Sequence, residues 1–155
     1  MTGDAFVELA RKMLVFQPTS GPAGTRSVVS RAYYGVFHAV RHFIETQLGF
    51  ERQKSVDGDN PHRFVQVYLS ESSEPNAVEL SSLMKTLHEL RKFADYDIGE
   101  EKYETQRFAS DSITRADRIL RTLEKCTQEP SRTHIKEGMS SYRQKISSAG
   151  RRAVQ

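Results

Sequence analysis

Apolar residues recur along this chain at helical spacing and nowhere in the short alternating runs of a half-buried strand, which constrains the fold more than any other feature. Over residues 4–17, Phe6, Leu9, Ala10, Met13 and Leu14 fall at i, i+3, i+4, i+7 and i+8, a stripe that buries one helical face. QPTSGPAG ends this first helix, since two prolines and two glycines in eight residues cannot continue it. The second helix is expected from about Thr25 to a cap at Gly49, with Val29, Tyr33, Val36, Phe37, Val40, Phe43 and Ile44 inward. FERQKSVDGDN reads as a loop, and Pro61 suits the first turn of a short third helix carrying Phe64, Val65, Val67, Tyr68 and Leu69. A fourth helix spans Pro75 to Tyr96 (Leu80, Leu83, Met84, Leu87, Leu90, Ala94). A fifth runs from about Tyr103 to Cys126 (Phe108, Ile113, Ala116, Ile119, Leu120, Leu123). The predicted fold is therefore all-α, an antiparallel up-and-down bundle of about five helices over residues 1–126.

A chain of 155 residues suits one hydrophobic core rather than two. The formal charge of +3 is unevenly placed: residues 127–155 carry six Lys/Arg (Arg132, Lys136, Arg143, Lys145, Arg151, Arg152) against two Glu, or +4, leaving −1 on residues 1–126. This basic segment is expected to be a flexible tail, and no bundle face is basic enough to predict binding of duplex DNA. No stretch approaches the roughly 20 apolar residues of a membrane span, and MTGDAFVELARK lacks the basic start and apolar centre of a signal peptide. The lone Cys126 allows no internal disulfide, so a cytoplasmic location is expected. His62 and His134 have no partners at metal-ligand spacing; neither metal nor cofactor is expected. SGPAGT offers backbone N–H groups ahead of a helix but lacks the Lys-Ser/Thr of a phosphate-binding loop, and reads as a connector.

Rotation by 100° per residue places Arg31, Tyr34, His38 and Arg41 in one stripe of the second helix, and His88, Arg91 and Asp95 in one stripe of the fourth, both bordering the apolar face. At the edge of a core, half-desolvated side chains form structural ion pairs or active sites. One reading is structural: Arg91 and Asp95 pair at i, i+4, while Arg31 and Arg41 cover apolar surface. The other is functional: the stripes meet across the two helices, or across a dimer axis, in a small basic cleft for phosphate. There the planar fork of Arg grips two oxygens, and His38 or His88 moves a proton near neutral pH.

Two segments, SRAYYGVFHAVRHFIE from Ser30 to Glu45 and LRKFADYDIG from Leu90 to Gly99, resemble the HEPN superfamily (higher eukaryotes and prokaryotes nucleotide-binding), in particular its small prokaryotic members. The resemblance implies an up-and-down bundle of four or five helices and a homodimer. It also implies involvement with RNA or nucleotides, in a toxin–antitoxin or defence system beside a nucleotidyltransferase. Many members are metal-independent ribonucleases that set an Arg, four to six further residues and a His at the dimer cleft.

Arg91 corresponds to that Arg, but no His follows it at that spacing, and the stretch carries Asp95, Tyr96 and Asp97. The resemblance with this departure implies a non-nuclease or atypical member, its cleft lined by Arg31, Tyr34, Arg41, Asp95 and Tyr96. Tyr96 is also the nearest candidate for modification by a partner nucleotidyltransferase. Two alternatives stay open: a ribonuclease using Arg91 with His38 or His88, and a purely structural dimerisation or adaptor module.

Overall fold

The computed structural model describes residues 3–16 and 21–152, all helix, turn and loop, with no strand among them. The α-helices are α1 (Gly3–Phe16), α2 (Gly21–His42), α3 (Lys54–Asp57), α4 (Pro61–Glu71), α5 (Pro75–Tyr96), α6 (Gln106–Thr127) and α7 (Ser131–Arg152). A π-helical turn, Phe43–Gln47, follows α2, and a 3-10 turn, Glu101–Glu104, precedes α6. Among the described residues no helix is long and apolar enough to cross a membrane.

Of the expected QPTSGPAG loop, residues 17–20 lie outside the described residues, and the remainder is already the first turn of α2. Pro22 sits where its missing N–H costs nothing. Past the π turn, Gly49 has φ +73° and the Phe50 N–H reaches back to the Ile44 carbonyl at 3.0 Å, a left-handed cap whose closure spans seven residues, one more than the six-to-one bond that ends an α-helix. Inside the expected FERQKSVDGDN loop, the single turn α3 forms, its Asp57 carboxylate accepting from the Gln53 N–H at 2.7 Å.

The described chain divides into two compact units: Met1–Ala39 with Leu83–Arg121, and Val40–Ser82 with Thr122–Gln155. In the first, Val7 and Ala10 of α1 are fully buried and Leu9 is 44% exposed, so the buried stripe of α1 is turned from the expected one. Val29, Tyr33, Val36 and Phe37 of α2, Met84 and Leu87 of α5, and Ile113, Ala116 and Ile119 of α6 are buried as their periodicity implies. Arg11 of α1 pairs with both Glu8 and Asp117 of α6.

The second unit contains the main departure from expectation. Residues 131–152, expected as part of a flexible tail from 127 to 155, form the regular helix α7, with Ile135 and Met139 fully buried; residues 153–155 lie outside the described residues. Charge dominates the composition of this segment, yet one apolar residue per turn suffices to seat a helix. α7 packs on α3 and α4. Its first residue is held by a buried carboxylate: Glu74 accepts from the Ser131 hydroxyl at 2.7 Å and from the Ala77 N–H at 2.8 Å, which also caps the start of α5. Cys126 is buried here, its thiol pushed up to about 12 by desolvation and by nearby Glu74 and Glu79.

Gly138 sets how closely α7 approaches. A Cβ at this position would stand 2.1 Å from the Ser72 carbonyl oxygen and 2.7 Å from its carbonyl carbon, which are backbone atoms with no rotamer to yield. Gly138→Ala is therefore expected to destabilise the chain by at least about 1–3 kcal/mol, the cost of overpacking. Denaturant unfolding checks this, and an unchanged midpoint would show that the two backbones have room to part.

Candidate functional site

The two motif-bearing stripes meet in the first unit. Arg91 of α5 donates from Nη2 to the Tyr34 hydroxyl of α2 at 2.9 Å, and its guanidinium lies 5.1 Å from the Tyr34 ring centroid and 5.5 Å from that of Tyr96. A cation between two ring faces is attracted to both quadrupoles. Arg91 Nε stands 2.6 Å from Asp95 Oδ2 one turn on. That N–H is not aimed at the carboxylate and, shut off from water, has no hydrogen-bond partner among the described residues, so the contact is an ion pair without a directed hydrogen bond. The Arg91 side chain is 14% exposed, whereas Tyr96 is 69% exposed. The centre of the cluster is thus an arginine already committed to a carboxylate and two rings, with an accessible aromatic ring at its edge.

The histidines join through rings. His88 stacks on Tyr33 with centroids 5.0 Å apart, while His38 lies 5.6 Å from Phe6 and 6.3 Å from Tyr34. Burial lowers the His88 pKa below its ordinary 6.5, with Lys92 and Arg91 pushing the same way and Glu89 opposing. Burial pushes the Tyr33 phenol well above its usual range. Of the remaining expected residues, Arg31 is exposed, without hydrogen bond or ion pair among the described residues. Arg41 belongs to the second unit and pairs with Glu45 at 2.8 Å. The cluster therefore joins Tyr34, Arg91, Asp95 and Tyr96 directly, His38 and His88 through neighbouring rings, and neither Arg31 nor Arg41.

Sequence reasoning missed Arg26. Its guanidinium donates to the carbonyls of Phe93 (3.3 Å), Ala94 (2.9 Å), Asp97 (2.9 Å) and Glu100 (3.4 Å), and pairs with the Glu104 carboxylate at 2.9 Å. One cation thus satisfies carbonyls at the C-terminus of α5, where the helix dipole favours positive charge, and pins the turn that follows Tyr96. Phe93 and Tyr103 stack beside it, centroids 5.2 Å apart. A signal was present: Arg26 lies three residues before Val29 and seven before Tyr33, on the buried stripe of α2, where an arginine needs a partner.

No family model, curated protein or solved structure matches this chain. Its function must accordingly be argued from the side chains themselves.

Two outcomes are expected. The Arg26 side chain is 11% exposed, and Arg26→Ala leaves the Glu104 carboxylate without its cation and takes the side-chain donor from four carbonyls, of which those of Phe93, Asp97 and Glu100 keep a backbone N–H. A loss of about 3 kcal/mol is expected on denaturant unfolding; a change within about 0.5 kcal/mol, typical of a surface site, would count against the latch. The second concerns His88. Because its folded pKa is lowered, the unfolded chain takes up the proton first. Stability tied to His88 is complete above the ordinary value of 6.5 and is lost as pH falls through the lowered folded value. Unfolding curves at about pH 7.5 and about pH 5 should therefore show a smaller acid-side loss in His88→Phe than in the parent chain. An equal loss in both would mean that His88 titrates normally in the folded state.

Proposed function

We propose that this chain is a HEPN-like protein that binds single-stranded RNA or nucleotide without cutting it, acting as a homodimer beside a nucleotidyltransferase in a toxin–antitoxin or defence system. The finer architecture, an antiparallel up-and-down bundle of about five helices with α7 added, belongs to this reading. The observation that carries it is the Arg91–Tyr34 hydrogen bond, which joins the two segments bearing the resemblance, together with the exposed Tyr96 ring at the edge of the same cluster. An exposed aromatic ring backed by a guanidinium is a platform on which a base of any identity can stack.

Two features favour binding over cleavage. Tyr96, Asp97 and Ile98 stand at the positions where a catalytic imidazole is expected, and Asp95 takes up the Arg91 charge that would otherwise stabilise a phosphorane. His88 is stacked on Tyr33 and resists protonation, which weakens it as a general acid. His38 is exposed on the same face as Tyr34, and a ribonuclease reading would have to use it.

The test uses purified full-length chain with a short labelled RNA in EDTA, reading binding by anisotropy and integrity by gel. Binding without cleavage is expected, weakened about 5- to 100-fold by Tyr96→Ala, the worth of one stacked base. RNA cut by the parent chain and spared by Arg91→Ala would establish the ribonuclease instead. Neither binding nor cleavage would leave the adaptor module.

A further inference from the structure

In the second unit, α3, α4 and α7 line a half-open cavity of about 290 Å³ with a chemistry distinct from the arginine cluster. Its polar floor is already satisfied. The Asp57 side chain, 0% exposed, accepts from the Gln53 N–H at 2.7 Å, from Arg143 Nη2 at 3.1 Å and from the Tyr68 hydroxyl. The Tyr68 hydroxyl in turn accepts from Arg143 Nε at 2.9 Å, and burial pushes that phenol up to about 12. The acidic group is therefore consumed by its own neighbours and offers nothing to a ligand cation.

What remains is aromatic wall and positive rim. Phe64 and Tyr68, 4.7 Å apart and both buried, back the wall, and Tyr142 meets Tyr68 edge-on, centroids 5.2 Å apart at 89°, which leaves the half-buried Tyr142 as the ring a flat molecule can reach. At the mouth, Arg63 is exposed and its guanidinium has no carboxylate partner among the described residues. Arg52 donates to the carbonyl of the lining residue Gly58 and likewise has none. Two guanidiniums without carboxylate partners beside an apolar wall call for an anion attached to a ring: the fork takes the oxygens in bidentate fashion while the ring displaces water from Tyr142, Val67 and Ile146. The volume lies just below the roughly 300–1,000 Å³ of small-molecule sites, which limits the occupant to one or two rings.

We propose that this cavity binds a small aromatic anion, its ring against Tyr142 and Ile146 and its carboxylate or phosphate on Arg63. Calorimetric titration of the full chain with four probes tests this: indole-3-carboxylate, adenosine 5′-monophosphate, neutral indole and inorganic phosphate. At least one of the two aromatic anions is expected to bind saturably, with Kd of about 10 µM to 1 mM, and which one binds identifies the anionic group. Indole and phosphate alone should bind at least about 10-fold more weakly, each lacking half of the recognition.

Arg63→Gln, at an exposed position, should keep the parental melting temperature and weaken the aromatic anion about 10-fold, the worth of one hydrogen bond to a charged group. Tyr142→Ala should weaken it as well. Tyr96→Ala should leave it unchanged, which separates this cavity from the cluster on α5. The absence of saturable binding to either aromatic anion at about 10 mM, weaker than any useful site of this size, overturns the proposal. So does binding that is indifferent to Arg63→Gln.

Discussion

The first unit depends on one buried cation. The end of α5 leaves carbonyls without helical partners, and a chain cannot desolvate such groups uncompensated. Arg26 answers two of them, Phe93 and Ala94, together with the carbonyls of Asp97 and Glu100 in the turn beyond and the Glu104 carboxylate, with one planar donor set. Because it reaches from the start of α2 to the end of α5, it couples the placement of the two helices. Two turns further along α2, Tyr34 is then in place to receive Arg91 from α5. Of the two contacts, the Arg26 latch does the structural work, which frees the Arg91 cluster to present an aromatic edge.

Both charged clusters follow the same logic with different results. Around Arg91, one carboxylate and two rings surround the cation while Tyr96 stays open to solvent. Around Asp57 the roles are exchanged: an anion is surrounded by donors, and the unspent charge lies outside on Arg52 and Arg63. A satisfied polar centre rigidifies its surroundings, and it is the groups left over at the rim that can do something else.

Helix positions were legible because burial repeats every 3.6 residues: α5 runs from Pro75 to Tyr96 as its stripe implied, and Gly49 takes the left-handed conformation expected of a cap. The stripes holding Tyr34, Arg91 and Asp95 were legible by the same rotation. What composition hid was α7, since six basic residues outweigh Ile135 and Met139 in any average, although those two are its fully buried side chains. Leu9 misled for a related reason: its place on the α1 stripe is real, but the burial goes to Val7 one face over. The Asp57, Tyr68 and Arg143 centre was beyond reach, because Asp57 and Arg143 stand 86 positions apart and no local spacing announces such a pair.

The contact between Gly138 and Ser72 acts as a datum for everything after it in the chain. Where only a hydrogen atom fits between two backbones, the register of a helix is fixed, and the later side chains of α7 as far as Ala149 point where the count from that position sends them. Tyr142 falls one turn on and Ile146 two, and both line the cavity. The shape of that cavity is thus written by the smallest residue near it, which does not itself touch the space it defines.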